Sequence, residues 1–390
     1  MPTTLTLTDR LYALAREAAA PAEPCGGPSG APRPVVLADR PDGTVVGLGD
    51  VVAKAHPPGP PADTGELTVR LHIAAHPLLA GIMLAPLTPA GTPLPGAAPA
   101  PGGTPTGGAA GTYPADPLRP MRLHDGRPAT LWPRGRPVDP DAPDSAPWEA
   151  AGTLLARLHS VRLDALRAGL PGPIPAMRGP EKAARALKRM RAALDHDHGH
   201  DPAATATATD SAPASELTAA VEAVEAAWAV LPAWCRGEEP PEPSRLSALC
   251  HGDFHMGQLV SHPAGEDGAW QLIDVDDSGI GDPAWDLARP AAWFATGLLP
   301  GPSWQRFLHA YETAAATPFL GGGDGTWPPR LDAPARALTV QTAALAVAKA
   351  HAARRPLDEA ETACAEACER IATAHVPGQR DETGRTLDPQ

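Results

Sequence analysis

The chain reads as an α+β protein built of two unequal units. Between residues 34 and 56, short apolar runs alternate with turn signals, the pattern of consecutive strands. From Trp148 onward, apolar residues recur at three- and four-residue spacing, the pattern of amphipathic helices. Around residues 250 to 274 the helical half returns briefly to strand character. A small antiparallel sheet followed by a larger helical unit with a strand pair inside it is an α+β order.

Taken along the chain, residues 8–19 form a short leading helix. PVVLADR, the turn Pro41-Asp42-Gly43 and TVVGLGDVVAKAH then give three antiparallel strands, with Gly47 and Gly49 marking the second turn before Asp50. Asp63 or Thr64 can cap a helix whose Leu67, Leu71 and Ala74 share a face and which ends near Pro77. GIMLAPL is a strand candidate, and RPATLWPRG is a strand running into a Pro-Gly turn, with a hinge at Trp132 to Arg136. WEAAGTLLARLHSVRL, EKAARALKRMRAAL and ELTAAVEAVEAAWAVL are helices, and beyond Pro283 the chain is helical nearly to its end. Two Pro-, Gly- or Ala-rich stretches, 88–118 and 195–213, hold too little apolar surface to offset their ordering entropy and read as mobile insertions.

Bulk properties narrow the function. A formal net charge of −13 over 390 residues argues against a non-specific grip on nucleic acid. The five cysteines, Cys25, Cys235, Cys250, Cys364 and Cys368, are odd in number and irregularly spaced, which suits a reducing compartment, and Cys364 and Cys368 read as helix-packing residues. No leader pattern opens the chain and no long apolar run crosses it, so a cytoplasmic protein with no membrane partner is expected. His196, His198 and His200 alternate in a loop that gives them no fixed geometry for a metal.

The chemistry gathers at residues 251–260, HGDFHMGQLV. Leu259–His262 and Trp270–Ile273 read as two short strands joined by PAGEDGA. Symmetric pairing sets 259 opposite 273, so Gln258 faces Asp274 with Cα atoms roughly 4.5–5.5 Å apart. An amide oxygen and a carboxylate, both hard ligands suited to Mg²⁺, then converge at the open end of a hairpin. Asp253 enters from five residues upstream. Two carboxylates and an amide around one point meet the needs of phosphoryl transfer: a group that positions the acceptor hydroxyl, and ligands for the metal that holds the phosphates. Taken alone, Asp253 and His251 could be a polar turn, but Asp276, Asp277, Asp282 and Asp286 add more acids than core polarity explains. Asp286 is expected to cap the helix that follows.

His251-Gly252-Asp253 with an amide residue five positions after the aspartate, then Leu272-Ile273-Asp274, Gly281-Asp282-Pro283 and Asp286-Leu287-Ala288, resembles the aminoglycoside phosphotransferase and choline kinase-like family of the protein-kinase-like fold. HGDFHMGQ is similar to the maltokinase-like branch, and LLARLHSV looks like the helix leaving the hinge. The resemblance covers residues 250–295 well. It implies a bilobal fold, with a nucleotide-binding N-lobe over 1–132 and a catalytic, acceptor-binding C-lobe over 133–390. It further implies that Asp253 is the catalytic aspartate, supported by His251, that Asp274 and Gln258 ligate magnesium, and that ATP or GTP donates its γ-phosphoryl group to a small-molecule hydroxyl. The family usually has asparagine where this chain has Gln258.

A kinase-like fold needs a strand lysine paired with a helix carboxylate. The chain has four lysines against 28 arginines, and Lys54 sits in the strand VVAKAH with Glu66 twelve residues on. Backbone near Leu131 to Pro133 would hold the base, with Leu131 and Trp132 as the residues concerned. Acceptor contacts are expected from Asp277, Asp282, Trp285 and Trp293, whose acids would suit an aminosugar, although a neutral sugar or amino alcohol is as compatible. Two other readings stand beside this one. His251, Asp253 and His255 form an H-x-D-x-H run that a zinc hydrolase could use, although His72 and His76 lie in the other unit. Gln258 and the absence of a Gly-rich phosphate loop would also suit a kinase-like nucleotide-binding protein without catalysis.

Overall fold

The computed structural model describes residues 5–19, 33–40, 43–59, 61–88, 116–195, 211–245, 248–265, 267–315 and 327–374. The stretches 88–118 and 195–213 lie almost entirely outside these residues, as do Cys25, Pro41, Asp42, His196, His198 and His200.

Helix α1 (Leu7–Ala18) opens with a capping box in which Thr6 and Asp9 satisfy each other's backbone amides. Strands β1 (Val35–Arg40), β2 (Gly43–Leu48) and β3 (Val51–Ala55) follow, antiparallel as expected. Helix α2 (Pro61–Ala74) starts at a proline, two residues before the expected cap, because a first-turn proline loses no helical hydrogen bond. With β4 (Met121–Arg122) and β5 (Pro128–Pro133) the sheet has the order β1-β2-β3-β5-β4. Along β3 the side chains alternate. Val51, Ala53 and Ala55 are buried in a small core with Leu11 and Ala15 of α1, and Val52 and Lys54 take the opposite face. GIMLAPL forms no regular strand: Met83 and Leu87 make isolated bridges to Leu272 and Leu131, and Pro86 between them has no amide to pair.

Arg134 donates its N–H to the Asp50 carbonyl at 2.7 Å, and two residues on, β6 (Arg136–Pro137) already pairs with a different sheet. Beyond it lie α3 (Trp148–His159), α4 (Leu163–Arg167), α5 (Gly179–Asp195) and α6 (Ser211–Ala229). Then come β7 (Ala248–Cys250), β8 (Leu259–His262), β9 (Ala269–Leu272), β10 (Gly279–Gly281), α7 (Ala284–Ala295), α8 (Gly301–Ala314), α9 (Pro329–Ala353) and α10 (Glu359–Ala374). Helix α9 packs against α5, α6, α7 and α10, and being enclosed on several sides it carries small apolar residues on every face. Trp148, Leu155, Phe254, Phe307 and Leu331 belong to this larger core, which also takes Leu67, Leu71 and Ile73 of α2. The fold is α+β, with a small antiparallel sheet beside a helical body. Among the described residues no helix is long and apolar enough to cross a membrane.

The hairpin register differs from expectation. The second strand begins at Ala269, one residue early, so Leu259 faces Leu272 and Val260 faces Gln271. Ile273 donates its N–H to the Gln258 carbonyl at 2.9 Å, and Asp274 lies one residue past the paired strands. A one-residue slip turns every side chain to the other face, so Gln258 and Asp274 are not a cross-strand pair.

Candidate active site

The loop after β7 is held from several directions. Gly252 has φ +85°, and a Cβ there would run into the Asp277 carbonyl, so only glycine fits. Asp286, fully buried on α7, accepts the His251 N–H at 2.6 Å, the Gly252 N–H at 2.7 Å and His159 Nε2 at 3.0 Å. It therefore anchors the loop and does not cap its own helix. Asp282, just before the helix, accepts the Ala284 N–H at 3.1 Å and pairs with Arg245 and Arg330. Phe254 stacks on Phe307, with 6.1 Å between centroids, which pins the loop to the core.

Both loop histidines serve the backbone. A carbonyl only accepts, so His251 Nε2 carries the proton it donates to Ile273 O at 2.7 Å. His255 Nδ1 accepts the Gly257 N–H at 3.1 Å, and burial pushes its pKa down from 6.5 to about 4, so it is neutral at neutral pH. The H-x-D-x-H run does not gather around a metal. Among the described residues the grouping with converging ligand atoms is His159, Cys250 and Asp286, of which His159 and Asp286 are already hydrogen-bonded to each other in the core.

Lys54 reaches across from β3 to the end of β9. Its Nζ lies 2.8 Å from Asp274 and 2.9 Å from Asp276. Burial works against its charge, but the two carboxylates outweigh that cost and hold its pKa above the ordinary lysine value. Asp274 has φ +67°, unusual outside glycine, and its Oδ1 also accepts the Asp276 N–H at 3.2 Å. Desolvation works against the charge of the half-buried Asp276, yet His56 and Lys54 hold it well below the usual carboxylate range. His56 Nδ1 donates to Asp276 at 3.1 Å, and its Nε2 lies 2.8 Å from the Thr130 hydroxyl, which accepts from Trp132 Nε1 at 2.9 Å. The expected Lys54–Glu66 pair does not form. Glu66 instead takes Arg70 at 2.9 Å and Arg178 at 2.6 Å, because one turn along α2 the buried Arg70 is the nearer cation.

Asp253 lies between two cations, Lys182 Nζ at 2.5 Å and Arg289 at 2.9 Å. Burial raises its pKa, but the two cations overcome that and leave it below the usual value, so it is ionised. Lys182 also holds Asp277 at 2.8 Å. Trp285 lines the same pocket as Asp253, whereas Asp282 is enclosed by its arginines and Trp293 packs against the core away from the pocket. Leu131 and Trp132 sit on β5 opposite Ala53 and Val52, and the Leu131 carbonyl accepts from the Leu87 N–H at 2.8 Å. Sequence reasoning missed Lys182, Arg289, Arg70 and Arg178. Lys182 carried a signal, being another of the few lysines, but arginines carry none in so arginine-rich a chain.

An ionised aspartate on a glycine-turned loop and a strand lysine held by two carboxylates beyond a hairpin are parts of the kind that phosphoryl transfer needs. The model of the phosphotransferase enzyme family matches residues 28–327, and the chain belongs to that family. No curated protein matches it. Among solved structures it is similar to a spectinomycin phosphotransferase in complex with ADP and spectinomycin, at 11% identity over 87% of this chain and 92% of that one, TM-score 0.48. A macrolide 2'-phosphotransferase from Brachybacterium faecium is similar at 16% identity over 90% and 94%, TM-score 0.39. A choline/ethanolamine kinase family protein from Mesorhizobium loti is similar at 17% over 94% and 95%, TM-score 0.38.

Proposed function

We propose that the protein is a cytoplasmic small-molecule kinase that moves the γ-phosphoryl group of ATP or GTP to a hydroxyl. The observation that carries this reading is Lys54 placed by β3 between Asp274 and Asp276, with the ionised Asp253 on the adjoining loop. Residues 1–132 would bind the nucleotide, with the backbone at Leu131 and Trp132 against the base, and residues 133–390 would carry the catalytic loop and acceptor site. The four described cysteines are buried and free, which suits a reducing compartment.

In this reading the acceptor hydroxyl loses its proton towards Asp253 as its oxygen bonds to the γ-phosphorus. The bond from that phosphorus to the bridging oxygen breaks, and the nucleoside diphosphate leaves. A carboxylate with a lowered pKa is a weak base, so Asp253 acts chiefly by orienting the hydroxyl, which suffices for a loose phosphoryl-transfer transition state. Lys54, already charged, would meet the donor phosphates. Asp274, whose side chain is accessible at 32% exposure, and Gln258 would supply hard oxygens of the kind that suits Mg²⁺. The ion when bound supplies charge neutralisation at the phosphates.

Purified protein with Mg·ATP or Mg·GTP and a panel of hydroxyl acceptors should release the diphosphate, and Asp253→Asn should lower turnover by about a hundredfold or more while its circular dichroism remains that of the folded protein. Turnover that survives Asp253→Asn would sink the assignment. For the magnesium site, Gln258→Asn should keep the magnesium dependence and Gln258→Ala should raise the magnesium concentration needed for half-maximal rate.

A further inference from the structure

Alternation along two paired strands gathers four polar side chains. Lys54 lies on β3 with His56 two residues on, and Thr130 and Trp132 lie two apart on β5, so each pair shares a face. The register sets Lys54 opposite Thr130, and the His56 N–H continues the pairing to the Pro128 carbonyl at 2.9 Å. Three of the four form a buried chain. Trp132 Nε1 donates to the Thr130 hydroxyl at 2.9 Å, and that oxygen lies 2.8 Å from His56 Nε2. A carboxylate only accepts, so His56 Nδ1 donates to Asp276 at 3.1 Å, and Asp276 in turn meets Lys54 Nζ at 2.9 Å. Glu66, the carboxylate expected for this lysine, is committed elsewhere. Its partner Arg70 is buried and also donates to the Ser278 and Ala176 carbonyls, so the pair cannot move as one towards Lys54. Asp274, the lysine's other carboxylate, is the one offered above to magnesium, whereas Asp276 is braced by His56.

We propose that Asp276, braced by His56, holds Lys54 in place for the donor phosphates, taking over in this chain the work expected of a carboxylate on α2. Asp276 acts through Lys54 and His56 acts through Asp276, so both are positioning residues. A lysine side chain has many rotamers, and a fixed counter-charge selects among them before the nucleotide arrives. Ordering of this kind adds affinity only for ligands that carry phosphates. The inference rests on reading Lys54 as the residue that meets those phosphates.

Binding of Mg·ATP, Mg·GTP, adenosine and guanosine, read by titration calorimetry without acceptor, tests it in variants whose folding is checked by circular dichroism. Asp276→Asn and His56→Leu should each weaken the preferred nucleotide at least roughly tenfold and leave its nucleoside unchanged. His56→Asn keeps an N–H near the position of Nδ1 and should restore most of the affinity that His56→Leu loses. In the Lys54→Met background Asp276→Asn should cost nothing further, because a residue that acts through Lys54 has no route left. Glu66→Gln should change the binding of neither ligand. If Asp276→Asn does not fold, His56→Leu against His56→Asn carries the same comparison. Simple charge removal beside the phosphates predicts the opposite sign for Asp276→Asn, so unchanged or tighter nucleotide binding there overturns the inference. An equal loss of nucleotide and nucleoside, an added loss in the Lys54→Met background, or a loss in Glu66→Gln as large as in Asp276→Asn also overturns it. Nucleotide binding that survives both Asp276→Asn and His56→Leu would leave the kinase reading standing and remove this one. A wild type that binds neither nucleotide more tightly than its nucleoside would remove both.

Discussion

At His255 the ring is neutral because burial leaves too little solvent for a charge, and its Nδ1 lone pair is already used by the Gly257 amide. A histidine whose folded pKa lies below its unfolded value binds more protons when unfolded, so stability falls as pH drops. The effect is absent above about 6.5 and complete near 4, a window worth roughly 3 kcal/mol at its limit. Melting midpoints measured from pH 7.5 to 4 should show this slope in the wild type and lose it in His255→Gln. Lys54 shows the converse balance: its charge persists despite burial because two carboxylates face it. Replacing it with methionine leaves those carboxylates against each other, and a loss of roughly 1–3 kcal/mol in denaturant unfolding is expected.

The 251–258 loop borrows its shape from three elements. Helix α7 supplies Asp286 to two consecutive loop amides, α3 supplies His159 behind it, and α8 supplies Phe307 against Phe254. Asp286→Ala would strand two buried amides and a histidine, so a loss of about 3–5 kcal/mol is expected, with turnover falling further than stability predicts because Asp253 loses its placement. Asp286→Asn keeps the volume and one accepting oxygen and should lie between. Circular dichroism melts beside steady-state rates would check this, and an Asp286→Ala variant of full stability would contradict the anchoring role.

Across the whole molecule two cores meet at the cleft. The small one joins α1 to one face of the sheet, and the large one holds α2 with the helical body. The Lys54 link joins residues 220 apart in the chain, and Arg70 adds a second tie by donating Nε to the Ser278 carbonyl at 2.8 Å. A nucleotide seated there touches both parts, so Mg·ATP at about one hundred times its Kd should stabilise folding by about 2.7 kcal/mol. Differential scanning calorimetry should show that gain, and both chelation of magnesium and Lys54→Met should remove most of it.

Local pattern was enough for much of this. The three strands, the helices after Trp148, the paired halves HGDFHMGQ and LID, and the isolated strand lysine are each set by residues close together in sequence, and hydrophobic period and turn chemistry act at that range. Long-range choices were not legible. Whether α7 turned Asp282 or Asp286 towards the loop depended on where its first turn packed, and the hairpin register depended on a single residue of loop length. Glu66 chose Arg70 and Arg178 over Lys54 because proximity after folding, and not charge alone, selects an ion pair. The cations flanking Asp253 came from α5 and α7, 71 and 36 residues away by number, and only packing on α9 brought them together. Sequence by itself determined which chemistry the chain could perform. Tertiary structure decided which charges pair with which at the site, because a side chain takes the partner that packing brings nearest.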